Sequence, residues 1–142
     1  MPVVSEDFRS AHEEIGVQTE ALRRAARDIP HMAYNDRAAA RDAVVDFLRR
    51  DVEPHTRLDE RLLYPEVGAR LGAPLATASM AYDHLAIRSW IGDLESADLA
   101  DPDRLQELLY GLDALMRVHM WKENELYLPV VEASGWPVDV HP

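Results

Sequence analysis

Residues 101–130 read DPDRLQELLYGLDALMRVHMWKENELYLPV, and this stretch contains the pattern that decides the fold. Its apolar residues recur at intervals of three and four, which is the spacing of one face of an α-helix. Asp101 is a suitable cap, Pro102 suits the first helical turn, and Gly135 ends the helix. The predicted buried face consists of Leu105, Leu108, Leu112, Leu115, His119, Glu123, Leu126 and Val130.

The same periodicity occurs in three further segments. We predict helices at about residues 5–29, 35–71, 75–98 and 102–134, followed by a C-terminal tail at residues 135–142. Pro54 is expected to kink the second helix, and Pro65 to bend or weaken its last turns. Four long amphipathic helices with short connections predict an all-α fold, an up-down-up-down antiparallel four-helix bundle, in one domain of residues 1–142.

Composition restricts the class of function. The chain has 142 residues and a net charge of −11, from 26 acidic and 15 basic residues. Such a surface repels phosphate backbones and anionic lipids, so we expect neither a nucleic-acid nor a membrane partner. The absence of cysteine excludes disulfides and thiolate metal sites. The first residues lack the features of a signal peptide, so we expect a cytoplasmic protein. Helical periodicity does not distinguish a monomer from a homodimer.

Polar residues occupy positions where the pattern calls for apolar ones. Each predicted helix has one histidine on its buried face, and two of these histidines have a carboxylate four residues later. Residues four apart lie on the same side of a helix, so each histidine–carboxylate pair points into the core. Counting residues from the turns places all of them within about 8 Å in depth. The set is His12, His55, Asp59, His84, His119 and Glu123.

This set predicts a metal site. Burying two carboxylates among four imidazoles is costly unless a cation neutralises them. Imidazole nitrogen and carboxylate oxygen suit iron, manganese or zinc, and two carboxylates can bridge two ions. The halves of the chain also repeat weakly, because each contributes one histidine and one histidine–carboxylate pair that is followed by a proline. The alternative that requires no metal is a helical interaction module whose core histidines are hydrogen-bonded.

These residues resemble the hemerythrin-like family, also called the HHE cation-binding domain. The resemblance covers essentially the whole chain: His12, His55-x-x-x-Asp59, His84 and His119-x-x-x-Glu123, with the phrases DERLLYP at 59–65 and DHLAIR at 83–88. It implies a non-haem centre of two iron ions, bridged by the two carboxylates and by an oxo or hydroxo group. It also implies that the centre reacts with dioxygen or its reduced forms.

The chain departs from the family pattern in two places. Arg88 occupies the position where dioxygen-carrying members have a fifth histidine, which implies that one ion lacks a nitrogen ligand and has an open or water-filled position. Open positions favour turnover of hydrogen peroxide, nitric oxide or dioxygen over reversible dioxygen carriage. Asp59 stands where glutamate is usual, and Glu60 is the alternative ligand if the helix is rotated near Pro54.

Several neighbouring residues are candidates for a secondary role. Thr19, Ile91 and Met116 lie within one or two turns of the six residues and are candidates for lining a small-ligand pocket, with core packing as the alternative. Arg88 is a candidate for neutralising a nearby acid, with an exposed surface position as the alternative. Tyr64 and Tyr127 are interpreted as packing residues. No catalytic residue is predicted beyond the metal site, because no other catalytic motif is present.

Two functions follow from this interpretation. The first is a di-iron protein that binds or reduces dioxygen or hydrogen peroxide, with catalase-like or oxidase activity as candidate enzyme activities. The second is a sensor or binding module that responds to iron or dioxygen without turnover. Manganese and zinc remain alternatives to iron, since both accept the same ligands.

Overall fold

The computed structural model describes residues 5–133 of the chain, and within them every regular element is helical. We name the four long helices α1 (Ser5–Asp28), α2 (residues 34–71), α3 (Ala78–Ser96) and α4 (residues 102–132). A short 3₁₀ turn, Ile29–His31, follows α1. The predicted all-helical class with four long helices is confirmed. The predicted tail at residues 135–142 lies outside the described residues.

The observed helix boundaries follow the predicted ones except at α3. This helix was expected to begin near residue 75 but begins at Ala78, because residues 74–77 form turns. Helix α2 ends at Leu71 and is capped by Gly72, which has a φ of 61°, in the left-handed region that favours glycine. None of the helices in the described part of the chain is long and apolar enough to cross a membrane.

Helices α2 and α4 contain three π turns, in which the backbone hydrogen bond spans one extra residue. Those in α2 are Leu48–Val52 and Asp59–Leu63, and the one in α4 is Glu123–Tyr127. A proline follows each of them by two residues, at positions 54, 65 and 129. Proline lacks an N–H group and its ring clashes with the preceding helical turn. The helical backbone continues through the expected bend sites at Pro54 and Pro65, with a wider turn before each.

The π turn in α4 corrects one sequence prediction. Leu126 was expected on the buried face, but it is 54% exposed. Leu128 and Val131 are buried instead, and Val130 is only partly buried. The extra residue in the π turn rotates the buried face of the following helix, so a strict spacing of three and four fails beyond Glu123.

The buried apolar residues form two clusters. The larger contains residues such as Ile15, Leu22, Ile91, Leu109 and Met116. The smaller consists of Phe8, Leu62, Leu63, Tyr64, Val67, Met80, Leu128 and Val131. Along each helix, the histidine and any carboxylate of the predicted set fall between residues of one cluster and residues of the other. The fold therefore contains a polar layer with an apolar cluster on each side, compatible with a four-helix bundle.

Candidate metal centre

The six polar residues singled out by the sequence are all buried and come together in this layer. Their exposed fractions range from 0% for Asp59, His84 and Glu123 to 9% for His55. Helix α1 supplies His12 and α3 supplies His84. Helices α2 and α4 each supply a histidine and, one turn later, a carboxylate.

The six residues form two groups of four, and in each group one possible ligand atom per residue lies within 4.8 Å of the others. The first group is His12, His55, Asp59 and Glu123, and the second is Asp59, His84, His119 and Glu123. The two carboxylates belong to both groups. Each group on its own has the nitrogen and oxygen donors that iron, manganese and zinc accept.

Each shared carboxylate directs one oxygen atom toward each group. Asp59 Oδ1 lies 3.4 Å from His55 Nε2, and Asp59 Oδ2 lies 3.4 Å from His84 Nε2. Glu123 Oε2 lies 3.6 Å from His12 Nε2, and Glu123 Oε1 lies 2.5 Å from His119 Nε2. This division of oxygens is the arrangement of a carboxylate that bridges two neighbouring cations.

The Nε2 atoms of the histidines also face one another in pairs. The distance between the Nε2 atoms is 2.9 Å for His12 and His55, and 3.0 Å for His84 and His119. Two unprotonated nitrogens at this separation repel each other unless a cation lies beside them. The paired imidazoles and the divided carboxylates therefore point to the same two positions.

The outer nitrogens of three histidines are held by oxygen atoms. His12 Nδ1 lies 2.6 Å from Asn124 Oδ1, His84 Nδ1 lies 3.1 Å from Glu60 Oε1, and His119 Nδ1 lies 2.9 Å from Asp83 Oδ2. Because these oxygens accept hydrogen bonds, they favour a proton on Nδ1 and leave the lone pair on Nε2 directed inward. Histidine ligands of metals are oriented in this way.

Three carboxylate oxygens of the centre have no hydrogen-bond partner among residues 5–133. They are both oxygens of Asp59 and Oε2 of Glu123. A buried oxygen without a partner is costly, and a buried charge more so. Cations between these oxygens and the Nε2 atoms remove that cost, so the residues present fit a pair of bound metal ions.

The ionisation of the cluster reflects burial and crowding. Burial lowers the pKa of His55 to about 4, which favours the neutral imidazole that binds metals. Burial and the neighbouring Glu123 raise the pKa of Asp59 well above its usual value. Burial also opposes ionisation of Glu123, but the hydrogen bond and charge of His119 outweigh it and lower the Glu123 pKa.

Tyr64 is a residue of the centre that sequence analysis treated as packing only. Its hydroxyl lies 3.0 Å from His84 Nε2 and 3.3 Å from His119 Nε2, and it donates to Glu123 Oε1 at 3.2 Å. Burial and the nearby carboxylates raise the pKa of this hydroxyl. A residue five positions after Asp59 would point about 140° away on a regular α-helix. The π turn Asp59–Leu63 brings it to the centre instead. In the sequence, Pro65 was the residue that indicated an irregular helix at this point.

The position equivalent to Tyr64 in α4 is Leu128. It follows Glu123 by five residues across the π turn Glu123–Tyr127, and it is fully buried. Tyr127 lies elsewhere, with its hydroxyl donating to the carbonyl of Ala76 at 3.1 Å. The two halves of the centre therefore share their histidine and carboxylate pattern but differ in one hydroxyl.

Glu60 and Arg88 lie on the outer side of His84. The Glu60 carboxylate holds the outer nitrogen of that histidine, and Arg88 Nη2 lies 3.6 Å from Glu60 Oε1. Asp59 belongs to both ligand groups, whereas Glu60 belongs to neither. Arg88 thus pairs with the acid that holds the outer nitrogen of His84.

The candidate pocket residues separate into two sets. Met116 lines a small cavity beside His55 and His119, and the other lining residues are Ile15, Val52, Thr56, Ile87 and Met120. Thr19 donates its hydroxyl to the Ile15 carbonyl at 2.7 Å, and Ile91 is buried in the larger apolar cluster. The structure therefore brings Met116, and neither Thr19 nor Ile91, to a cavity that touches the centre.

Comparison with known families agrees with this geometry. The family model of the hemerythrin HHE cation-binding domain matches residues 3–131, a range that includes all six residues. No significant match to a curated protein or to a solved structure was found.

Proposed function

Because the chain belongs to the hemerythrin HHE cation-binding domain family, we propose that its buried cluster holds two iron ions. His12, His55, His84 and His119 act as terminal ligands, and Asp59 and Glu123 bridge the ions together with an oxo or hydroxo group. The observation that carries this proposal is that Asp59 and Glu123 belong to both groups of four. Manganese and zinc are the alternatives, because the same donors accept them.

We propose that the centre binds or reduces dioxygen or hydrogen peroxide, with nitric oxide as a further small ligand. Two bound irons would supply the electrons for such a reduction. The small cavity next to His55 and His119 is apolar and has a volume of about 10 Å³, which is close to the minimum for one water-sized molecule. The apolar clusters on both sides of the polar layer exclude bulk water from the centre.

Metal content and peroxide consumption test this proposal. Freshly purified protein is expected to contain about two irons per chain and to show the near-ultraviolet absorption of an oxo bridge. Adding hydrogen peroxide should change that spectrum and release dioxygen or consume peroxide steadily. Zinc alone, or no metal in a stably folded protein, would contradict the di-iron proposal.

Tyr64→Phe tests the hydroxyl at the centre. The ring remains to pack in the smaller apolar cluster, whereas the hydrogen bond to Glu123 Oε1 is lost. We expect the variant to keep its full metal content and to lose roughly tenfold or more of its peroxide turnover, as happens when one oriented donor is removed from an active site. Tyr127→Phe is the matched control, since its hydroxyl bonds to the Ala76 carbonyl. Equal turnover in both variants would show that the Tyr64 hydroxyl has no role.

Asp83→Asn tests the hydrogen bond that Asp83 accepts from the outer nitrogen of His119. Asp83 Oδ2 accepts from His119 Nδ1 and also from Lys122 Nζ at 2.7 Å. Weakening such an outer partner typically lowers metal affinity about 10–100-fold. Competition with a chelator of known affinity measures the effect. Asp93→Asn on the exposed side of the same helix should leave the affinity unchanged, and an equal loss there would mean that the change is not specific to His119.

The alternative function is an iron- or dioxygen-responsive sensor without turnover. The observation that favours it is the set of unpartnered carboxylate oxygens of Asp59 and Glu123, which ties the stability of the fold to bound cations. A large metal-dependent shift in melting temperature without peroxide consumption would favour the sensor. Rapid peroxide consumption would favour the enzyme.

We also propose the up-down-up-down antiparallel arrangement for the bundle. Arg9 near the start of α1 pairs with Glu132 at the end of α4, whereas Gln106 near the start of α4 donates to the Ala26 carbonyl near the end of α1. Asp83 near the start of α3 likewise pairs with Lys122 in the second half of α4.

We propose that the protein acts in the cytoplasm as a monomer or homodimer. Its net charge of −11 disfavours a nucleic-acid partner.

A further inference from the structure

A groove of about 660 Å³ lies between the second half of α2, the turns after it and the start of α3. Pockets for small organic molecules usually have volumes of about 300–1,000 Å³. Small side chains make up most of its wall, among them Pro65, Gly68, Ala69, Ala78 and Ala81. The groove is therefore large enough for a molecule with one or two fused rings, well beyond what a diatomic ligand requires.

The groove borders two residues that contact the proposed centre. Tyr64 and Glu60 both line it, and both contact His84 through hydrogen-bond distances of 3.0 and 3.1 Å. The small cavity near Met116 lies beside His55 and His119, and the two spaces share no lining residue. The centre is thus bordered by a small apolar cavity and by a separate, larger groove.

The residues that line the groove restrict the class of molecule that can bind in it. Glu60 is the charged residue among those that line the groove in the described part of the chain, and Thr77 adds a hydroxyl. Arg88 pairs with Glu60 but is not one of the residues that line the groove, so an anionic molecule in the groove would meet the Glu60 carboxylate and an acidic protein surface. A neutral ring with hydroxyl groups can bury its ring against the small apolar side chains and donate a hydrogen bond to Glu60.

We propose that this groove binds a neutral hydroquinone-type molecule, which supplies electrons to the centre. This inference rests on the proposed function, because peroxide reduction requires a donor of two electrons and two protons. The hydroquinone loses two electrons and two hydroxyl protons and becomes a quinone. Hydrogen peroxide gains them, its O–O bond breaks, and two molecules of water form. Phosphate-bearing donors are disfavoured by the acidic wall.

Binding is tested with 1-naphthol and 1-naphthoate, which have the same ring system but differ in charge. Calorimetric titration of the metal-loaded protein should show saturable binding of 1-naphthol at one site per chain. The affinity for 1-naphthoate should be roughly tenfold weaker or more, because the carboxylate meets Glu60. Equal affinities, or no binding of 1-naphthol, would overturn the proposal whatever the variants do.

Ala81→Phe fills the groove from α3, and Ser89→Phe places the same side chain on an exposed position of that helix outside the groove. We expect the first substitution to weaken 1-naphthol binding about tenfold or more, and the second to leave it unchanged. Metal content and melting temperature establish that both variants are folded. Unchanged binding in Ala81→Phe would place the naphthol site elsewhere and overturn the proposal.

Electron donation is measured without dioxygen, by following the peroxide-dependent oxidation of 1,4-naphthohydroquinone. Wild-type protein and Ser89→Phe should form the quinone at equal rates, and Ala81→Phe should lose about nine-tenths of the rate, which corresponds to its loss of binding. Naphthol binding without any oxidation would overturn the donor role. Peroxide consumption without naphthol binding would leave the proposed function intact and overturn the groove proposal alone. The two failures are therefore distinguishable.

Discussion

Asp59→Asn is expected to reduce the metal content to one ion per chain or none. Asp59 supplies one oxygen to each group, at 3.4 Å from His55 Nε2 and at 3.4 Å from His84 Nε2. Asparagine has nearly the same shape, but it presents one oxygen and one NH₂ group and has no charge to bridge two cations. Metal analysis of the purified variant, together with loss of the oxo-bridge absorption, measures the result.

Asp113→Asn is the matched control for this substitution. Asp113 is another buried aspartate of the chain, paired with Arg117 at 2.9 Å, and it belongs to neither ligand group. We expect this variant to retain the metal content of the wild type. Full metal content in Asp59→Asn would refute the role of Asp59 as a bridge and would direct attention to Glu60.

Removing the metal ions is expected to lower the melting temperature by about 10 °C or more. Without cations, the carboxylates of Asp59 and Glu123 remain buried close to each other and three of their oxygens lack a partner. Leaving a buried polar atom without a partner typically costs about 1–3 kcal/mol, and each kcal/mol shifts the melting temperature of a chain of this size by about 2–5 °C. Thermal unfolding with and without a chelator measures the difference.

The double variant Asp59→Asn, Glu123→Gln separates this effect from a general loss of packing. In the presence of chelator it should unfold at a higher temperature than the wild type, because the two buried acids are gone while the shape is retained. In the presence of metal it should unfold at a lower temperature than the wild type, because the bridging ligands are gone. If the variant were less stable than the wild type under both conditions, the carboxylates would not be the source of the metal dependence.

The helices and the six buried polar residues could be predicted because both depend on local spacing. A face with a period of three and four identifies a helix, and a carboxylate four residues after a histidine shares its face. These rules apply in the regular α-helical parts, where His55 and Asp59, and also His119 and Glu123, lie one turn apart. The depth of the histidines followed from a count of residues between turns.

Tyr64 and Leu126 could not be placed by the same rules. Tyr64 directly follows a π turn and Leu126 lies within one; each of these turns begins at a carboxylate of the centre and changes the spacing by one residue. The sequence indicated an irregularity at Pro65, but spacing alone did not show that a residue was added to the turn. The groove and the small cavity also depend on the distance between helices, which periodicity alone does not contain.

The two π turns that begin at Asp59 and Glu123 affect which side chains of α2 and α4 face inward beyond these carboxylates. In both α2 and α4 the histidine and the carboxylate keep α-helical spacing, and the fifth residue after the carboxylate is buried. These two residues are Tyr64, whose hydroxyl donates to Glu123 Oε1, and Leu128. Replacing Tyr64 would therefore change the polarity beside the cluster while leaving all six candidate ligands in place.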